Sequence, residues 1–362
     1  MIMQCYYKAV FRPCNKLKSI AYLRAMAKEV VLSGIRPTGF LHLGNYFGAM
    51  RNYVRMQDEY NCYFFVANWH SLTTHPDTKE LRNSVNRVVA ENIACGLDPE
   101  KVALYVQSDV PEIAELYLYL NTMAYKGELE KTATFKEKVR LNPENVNAGL
   151  LTYPVLMAAD ILIHRAVKVP VGKDQEQHLE MARNFADRFN HRYGNVLPLP
   201  QAFNYGGELV KILSLDGNGK MSKSENQMNT LYLADTDELI GKKIMKAKTD
   251  QGPSTPNSAK PDYIENLFTL MRLVSGADVV GKFEDDFNAS SEGNCIIRYG
   301  DMKKQLAADM IEFIKPIRAK AADIQENKDL LHKITRQGAE KARASASETL
   351  KLVRTAIGMN ES

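Results

Sequence analysis

The sequence has few cysteines and no long apolar run, and each shortage excludes a class of protein. Its five cysteines, at positions 5, 14, 62, 95 and 295, form no Cys-x-x-Cys pair. This odd, scattered set argues against a zinc knuckle and a disulfide framework, so we expect a reducing compartment. No stretch of 18 or more apolar residues occurs, so the sequence predicts no membrane-spanning helix. The seven histidines form no cluster typical of metal ligands, and we expect no metal held by protein side chains.

The net positive charge is small, and it is concentrated at the amino-terminal end. The formal charge is +4, and five cations at positions 8, 12, 16, 18 and 24 precede the first acidic residue. Residues 26–362 therefore carry a formal charge of −1. Any contact with a nucleic acid must come from local basic patches rather than from a global field.

Residues 1–25 are basic and acid-free. Transit peptides share this composition, but the segment has few serines and no strong amphipathic repeat. Met26 lies just before the first predicted strand. We favour an extension that is disordered or absent from the mature chain over a targeting peptide.

Two stretches have the composition of phosphate-binding elements. Residues 220–224 read Lys-Met-Ser-Lys-Ser and follow a glycine-loosened Asp-Gly-Asn-Gly run. Two lysines three residues apart on a loop suit a polyphosphate, although a lysine-rich surface loop is the simpler reading. The second stretch, residues 33–45, follows an apolar run and precedes a helical pattern. In a strand, loop and helix arrangement of this kind, backbone N–H groups and the positive helix end face an anion.

Together these stretches resemble the two signatures of the class I aminoacyl-tRNA synthetases. The first signature reads His42-Leu43-Gly44-Asn45, and asparagine at its last position is a variation seen in the tryptophan and tyrosine branch. Residues 153–160 and 169–178 are similar to those of tryptophanyl-tRNA synthetases specifically. The resemblance extends from about residue 30 to residue 358.

The length of 362 residues and the order of the apolar patterns predict two domains. Strands at 28–33, 62–67, 102–107 and 167–171 alternate with helices at 44–59, 80–95 and 174–190, which indicates a parallel sheet. The predicted fold class is α/β, with a Rossmann-like, doubly wound parallel sheet in a catalytic domain at 26–230. A helical connection at about 111–166, broken by a polar loop at 136–147, joins its halves. Residues 231–362 form a helical domain, with helices at 239–248, 263–273, 301–321 and 340–357 and an irregular connection at 249–262. By resemblance, this domain reads the anticodon.

The resemblance implies an ATP site at the carboxyl ends of the strands. Catalytic roles fall on His42, Asn45, Lys138, Lys220 and Lys223. The residues implied in ATP binding are Arg36, Pro37, Thr38, Gly44, Asn45, Gly172, Lys173, Asp174, Ile212, Lys220, Met221, Ser222, Lys223 and Ser224. Mg²⁺ would arrive with ATP. Alternatives stay open: His42 packs while Asn45 caps a helix, and Lys136 competes with Lys138.

The resemblance also implies a tryptophan site centred on Asp160. A carboxylate in the apolar segment 157–164 is costly without a partner, and an internally paired core acid is the alternative. In the family this aspartate accepts the indole N–H, and Met157 packs on the ring. A buried hydrogen-bonding site rejects ligands that lack the group by about 10⁴–10⁵, so no editing domain is needed. Tyr153, Gln175 and His70 are expected around the ammonium, carboxylate and ring.

The predicted function is that of a tryptophan–tRNA ligase, with L-tryptophan, Mg-ATP and tRNA(Trp) as substrates, in the cytoplasm and as a homodimer. No membrane or DNA partner is expected. The alternatives are a tyrosine-specific relative and a catalytically silent RNA-binding paralogue. Two departures from the family concern substrate contacts: Arg36 replaces a common glutamine, and Asn68-Trp69 replaces a commonly acidic position. Basic residues such as Arg318, Lys320 and Arg343 are candidate tRNA contacts.

Overall fold

The computed structural model describes residues 28–74, 76–172, 175–205, 210–222 and 227–359. The extension predicted at 1–25 lies outside these ranges. So do four of the predicted site residues, namely Lys173, Asp174, Lys223 and Ser224.

Five parallel strands form one sheet in the order β3-β2-β1-β4-β5. The strands are β1 Val30–Ile35, β2 Asn61–Val66, β3 Ala103–Val106, β4 Lys168–Val169 and β5 Gln201–Ala202. The chain runs outward from β1 to β3, then crosses to β4 on the other side of β1. This order confirms the predicted doubly wound sheet, whose switch point between β1 and β4 is the usual place for a ligand. The two-residue strand β5 was not predicted.

In the described ranges, helices cover both faces of the sheet and form most of the segment after residue 236. The long helices are α1 (segments Leu43–Asn45, Tyr46–Met50 in π form, and Arg51–Met56), α2 Thr78–Ala94, α3 Glu112–Asn121, α4 Ala133–Leu141, α5 Ala148–Ile163, α6 Glu176–Tyr193, α7 Asp237–Met245, α8 Asp262–Val274, α9 Ala277–Ala289, α10 Tyr299–Glu326 and α11 Lys328–Ala356. Short helical turns lie at Asn68–Ser71, Leu72–Thr74, Gln107–Asp109, Lys126–Leu129, Pro143–Asn145 and Gln227–Asn229. In the described ranges, no helix has the length and apolar content needed to cross a membrane.

Three helical stretches differ from the predicted pattern. The polar loop predicted at 136–147 is wrong in its first half, because α4 continues to Leu141. Helix α4 has no buried residue, so it lacks the apolar period that marks a helix in sequence. Helix α9 was missed although Val280, Phe283 and Phe287 are buried at helical spacing. Helix α11 begins at Lys328 rather than near residue 340.

The alternation of side chains along β2 divides the core into two layers. Cys62, Phe64 and Val66 face the layer that contains α1, α2 and the helices after residue 236. Tyr63 and Phe65 face the opposite layer, which contains α3, α5, α6 and part of α11. The first layer joins the sheet to the later helices directly, since Phe47 of α1 stacks on Phe313 of α10 at 5.4 Å between ring centroids.

Helix α11 packs against the outer edge of β3 without a side chain between the two backbones. A Cβ atom built on Gly338 would lie 1.9 Å from the carbonyl oxygen of Leu104. Next to this contact, Lys341 donates to the carbonyl of Pro99 at 2.9 Å and Arg343 donates to the carbonyl of Asp109 at 2.6 Å. The glycine therefore permits α11 to cover an edge strand that would otherwise expose unpaired backbone groups.

Replacing Gly338 with alanine should destabilise the protein, although alanine is favoured over glycine in a helix by about 1 kcal/mol. The added methyl group would meet strand backbone, so overpacking is expected to cost about 1–3 kcal/mol. Thermal unfolding monitored by circular dichroism measures the loss. The control is Gly281→Ala in α9, where a Cβ meets nothing within 4 Å and stability should rise. An equal gain in both variants would contradict this packing.

A buried histidine lies between the sheet and α11. His164, at the end of α5, stacks on Tyr63 with ring centroids 4.4 Å apart. Its Nε2 is 2.9 Å from the Tyr105 hydroxyl, and its Nδ1 is 3.4 Å from Oγ of Ser345 on α11. Burial lowers the pKa of His164 from 6.5 to about 3, so the ring is neutral in the folded protein.

The buried neutral histidine predicts an acid-dependent loss of stability. Between pH 6.5 and about pH 3 the unfolded chain binds a proton at His164 that the folded chain does not, so stability falls as the pH falls. The loss between pH 8 and pH 5 should be about 2 kcal/mol. Denaturant midpoints at the two pH values, compared with those of His164→Gln, measure this contribution. The variant should lose about 2 kcal/mol less over the same range.

The control for this pH dependence is His191→Gln on the exposed side of α6. It should respond to pH as the wild type does. If His164→Gln and His191→Gln show the same pH dependence, His164 is not the source of the acid sensitivity.

Candidate active site

A cavity of about 330 Å³ opens at the switch point between β1 and β4. Eight of the predicted site residues line it: Arg36, His70, Lys138, Tyr153, Met157, Asp160, Gly172 and Gln175. These residues come from strand ends, from the turn after β2, and from α4, α5 and the start of α6. The fold thus brings the whole predicted amino-acid set and part of the predicted ATP set to one place.

Asp160 is the buried acid of this cavity, with 1% of its surface exposed. Its Oδ2 lies 2.8 Å from Nε2 of His70, and its Oδ1 accepts a hydrogen bond of 2.7 Å from Nε2 of Gln107. Burial raises the pKa of Asp160, and the hydrogen bond and charge of His70, together with the hydrogen bond from Gln107, oppose that rise. The acid is internally paired, as the alternative reading expected, yet it still lines the cavity. Two carboxylate oxygens offer about four acceptor positions, so acceptor capacity remains for a ligand.

Gln107 is a site residue that sequence reasoning missed. It begins the turn Gln107–Asp109 directly after β3, and it is completely buried. The signal was present, because residue 107 ends a predicted strand and polar residues at that position meet at the carboxyl edge of a parallel sheet.

Tyr153 and Gln175 are held together by a second missed residue, His178. The Tyr153 hydroxyl lies 2.7 Å from Nε2 of this buried histidine, and Oε1 of Gln175 lies 3.0 Å from its Nδ1. An amide oxygen only accepts, so Nδ1 carries the proton and Nε2 accepts from the tyrosine. Thr134 of α4 also contacts Nε2, at 2.8 Å. This cluster holds Tyr153, Gln175 and Thr134, which line the same cavity as Asp160.

Two cations lie at the cavity. Nζ of Lys138 is 4.3 Å from the centroid of the Tyr153 ring. Burial lowers the pKa of Lys138, and the positive charge of Arg36 lowers it further. Burial also lowers the pKa of Arg36. The competing residue Lys136 is exposed on the outer side of α4. Placing two positive charges side by side in a partly dry cleft favours an anionic ligand there.

The first signature is used for helix capping in this structure. The backbone N–H of Asn45 donates to Nδ1 of His42 at 3.3 Å, and that of His42 donates to Oδ1 of Asn45 at 3.1 Å. His42 is buried. The structure thus has the arrangement given above as the alternative, in which His42 packs in the core and His42 and Asn45 serve the start of the helix. Pro37 and Thr38 form the preceding turn, in which the Thr38 N–H donates to the carbonyl of Arg36 at 2.8 Å.

Gly44 packs against the second signature instead of lying open to a ligand. A Cβ atom at Gly44 would lie 3.0 Å from the His42 ring and 3.6 Å from Cβ of Met221. Met221 is buried, and its N–H donates to the carbonyl of Ile212 at 2.9 Å. Ile212 is itself fully buried, while Lys220 is exposed to solvent. The lysine loop is therefore anchored by its methionine, with Lys220 on the outside.

The segment after the lysine loop pairs with the first signature. The Leu43 N–H donates to the carbonyl of Leu231 at 2.9 Å, the Leu233 N–H donates to the carbonyl of Leu41 at 2.8 Å, and His42 forms an antiparallel bridge with Tyr232. These contacts join the first signature to a segment that lies about 190 residues later in the sequence.

A buried lysine of α7 holds this paired segment. Nζ of Lys243 donates to the carbonyl of Thr230 at 2.8 Å and to Oδ2 of Asp235 at 2.6 Å. The Thr230 hydroxyl in turn donates to the carbonyl of Ser222, in the lysine loop, at 3.1 Å. The Arg318 guanidinium of α10 donates hydrogen bonds to the backbone carbonyl of Asp235 and to the carboxylate of Asp237. Charged groups of α7 and α10 thus contact the segment 230–237, which is bonded to the lysine loop through Thr230 and paired with the first signature.

The described ranges contain no group of three or more histidine, cysteine, aspartate or glutamate side chains arranged to hold a metal ion. Among the candidate tRNA contacts, Arg318 and Arg343 are engaged with other parts of the protein. Lys320 is exposed on α10.

Comparison with known proteins agrees with this geometry. Residues 26–315 match the family described as tRNA synthetases class I (W and Y). The tryptophan–tRNA ligase of Porphyromonas gingivalis is 59% identical over 331 residues, covering 91% of this chain and 99% of that protein. The corresponding enzyme of Rickettsia bellii is 41% identical over 336 residues, with coverage of 91% and 99%.

A solved relative shows the same fold. The tryptophanyl-tRNA synthetase of Campylobacter jejuni, complexed with ADP and tryptophan, matches with a TM-score of 0.81 at 33% identity, covering 91% of this chain and 99% of that one. The chain belongs to the class I tRNA synthetases of the tryptophan and tyrosine group, and within that group to the tryptophanyl-tRNA synthetases.

Proposed function

We propose that the cavity between β1 and β4 is the site where this tryptophan–tRNA ligase forms tryptophanyl-adenylate. The observation that carries the proposal is the buried Asp160 carboxylate, which faces the cavity between two internal donors. An indole N–H would donate a hydrogen bond to this acceptor. A ring without a donor there would leave the acceptor unpaired and would therefore bind less well. Met157 lies one helical turn before Asp160 and lines the same cavity, where it packs on the indole ring.

The remaining cavity residues suit the polar end of the amino acid. The hydroxyl of Tyr153 and the amide of Gln175, both oriented by His178, are inferred to bind the ammonium and carboxylate. His70, whose Nε2 lies beside Oδ2 of Asp160, is inferred to contact the indole ring. In the reaction, the amino-acid carboxylate attacks the α-phosphate of ATP, the bond to the β-phosphate oxygen breaks, and pyrophosphate leaves. A hydroxyl of the terminal ribose of tRNA(Trp) then attacks the carbonyl carbon of the adenylate, the anhydride bond to the phosphate breaks, AMP leaves, and the hydroxyl gives up its proton.

ATP, as its Mg²⁺ complex, is the inferred second substrate, and the nucleotide-bound Campylobacter relative supports a nucleotide site in this fold. Negative charge grows on the α-phosphate and on the leaving group, so preorganised donors are needed rather than a base. Arg36 and Lys138 already lie at the cavity. We infer that Gly172 and Asp174 bind the adenosine, and that His42, Asn45, Lys220 and Lys223 contact the phosphates. For His42 and Asn45 this requires exchanging the capping contacts for phosphate contacts.

The helices after residue 231 are inferred to bind tRNA and read its anticodon. From a role in translation we infer a cytoplasmic location. Recognition must use local basic patches, because the bulk charge of residues 26–362 is slightly negative. The exposed Lys320 is a better candidate for such contact than Arg318, whose guanidinium is bound to Asp237.

A homodimer is the inferred assembly. A second cavity of about 350 Å³ has a largely apolar lining that includes Trp69, Leu72, Ala114, Tyr117 and Leu156, and its wall contains Tyr153 of the first cavity. Leu72 is 51% exposed, and Leu118, on the same helix as Ala114 and Tyr117, is 61% exposed. An exposed apolar face of this kind is typical of a contact between subunits.

The activity is tested by amino-acid-dependent exchange of pyrophosphate into ATP. The wild type should exchange with tryptophan and not with tyrosine. Asp160→Asn should lower kcat/KM for tryptophan about 10- to 100-fold, because it removes one charged hydrogen-bond acceptor. Asp187→Asn, on the outer face of α6, should leave exchange unchanged. Exchange with tyrosine would favour the tyrosine-specific alternative, and no exchange with either amino acid would favour the silent paralogue.

The assembly is tested by sedimentation velocity at micromolar concentration. The wild type should sediment as a dimer, and Leu72→Glu should shift it towards the monomer because a charge would enter an apolar contact. Ile296→Glu changes an exposed residue in the connection between α9 and α10 and should remain dimeric. A wild type that sediments as a monomer would refute the proposed assembly.

A further inference from the structure

We propose that Gln107 is a positioning residue that sets selectivity for an indole N–H by fixing the orientation of the Asp160 carboxylate. The inference rests on the proposed tryptophan site and adds a residue that acts through Asp160 rather than by touching the substrate.

Both ends of the Gln107 amide are bonded. Its Oε1 accepts a hydrogen bond of 3.0 Å from the backbone N–H of Trp69, and its Nε2 donates to Oδ1 of Asp160 at 2.7 Å. A backbone N–H only donates and a carboxylate only accepts. A flipped amide would therefore lose both bonds, so only one orientation of Gln107 fits the site. Through this amide, the position of Oδ1 of Asp160 is fixed relative to the backbone at Trp69.

The same turn supplies the partner of the other carboxylate oxygen. His70 follows Trp69 in the turn Asn68–Ser71, and its Nε2 lies 2.8 Å from Oδ2 of Asp160. The two turns are also joined by Asn68, whose side chain donates to Oγ of Ser108 at 2.8 Å and accepts from the Ser108 N–H at 3.1 Å. Rotation of the carboxylate would therefore break a contact on each side.

This arrangement determines where the remaining lone pairs of Asp160 point. With Oδ1 and Oδ2 each held by one donor, the free acceptor positions of the carboxylate are fixed relative to the cavity wall. A ring donor can then meet an acceptor without reorganising the site, and a ring without a donor leaves that acceptor unpaired. If Gln107 were apolar, the carboxylate would lose one of its two constraints and the penalty for the wrong ring would fall.

The experiment compares tryptophan with 3-(1-benzothiophen-3-yl)alanine, in which sulfur replaces the indole N–H. Exchange kinetics give the ratio of kcat/KM for the two amino acids in the wild type, Gln107→Met and Gln57→Met. Gln57 is the matched control: it is a buried glutamine whose amide donates to the Gly96 carbonyl at 3.3 Å and accepts from the Asp98 N–H at 2.9 Å, outside the cavity lining. Gln107→Met should lower the ratio at least about 10-fold, mainly through KM for tryptophan. Gln57→Met should leave the ratio unchanged.

A second variant keeps the shape of the side chain. In Gln107→Glu, a protonated glutamic acid donates to Asp160 as the amide does, whereas its carboxylate repels Asp160. The kcat/KM for tryptophan should therefore approach the wild-type value at low pH and fall as the pH rises, with a dependence that the wild type lacks.

The possible outcomes separate this inference from the proposed function. A wild type that neither exchanges with tryptophan nor binds it by calorimetry overturns the tryptophan site, and the role of Gln107 with it. A wild type that prefers tryptophan, together with a Gln107→Met variant that loses kcat/KM equally for both amino acids, overturns only the role of Gln107. A Gln107→Glu variant with the wild-type pH profile overturns it as well.

Discussion

The structure depends on the cost of removing the Asp160 carboxylate from water. A buried charge is tolerated only with donors close to it, and here one donor follows β2 and another follows β3. A single side chain of α5 therefore bonds to the turns after both strands, and these bonds fix the position of α5 over the sheet. The two donors reduce the cost of burying the acid, and they also fix its orientation at the wall of the cavity. The same contacts therefore serve stability and the proposed recognition of the substrate.

A second constraint acts on the phosphate side. Residues 41–43, which overlap the first signature, pair with residues 231–233 after the lysine loop, and the buried Lys243 of α7 donates to the carbonyl of Thr230 beside that segment. The paired segment therefore links α7 to the first signature and, through the hydrogen bond from Thr230 to Ser222, to the lysine loop. In this structure His42 and Asn45 make capping contacts, and Lys220 is exposed to solvent. The proposed phosphate contacts require these capping contacts to be exchanged.

Much of the fold could be predicted because its main signals are local. The apolar strands β1 to β3 and the helices that follow them have clear periods, and the motifs identified the cavity residues from Arg36 to Gln175. What could not be predicted depends on distant contacts. Strand β5 has two residues and no pattern, α4 lacks a buried face, and His178 gains its importance only when Tyr153 and Gln175 are brought to its two ring nitrogens. The capping use of His42 and Asn45 was foreseen only as an alternative, since one sequence pattern serves both roles.

The contact between Gly338 and Leu104 has a consequence for how the protein is made. A ribosome synthesises the strands of the sheet more than 100 residues before α11, so β3 is an uncovered edge while the later helices emerge. An exposed strand edge is prone to pair with other chains. The nascent chain would be expected to depend on chaperones, or on rapid synthesis, until α11 docks.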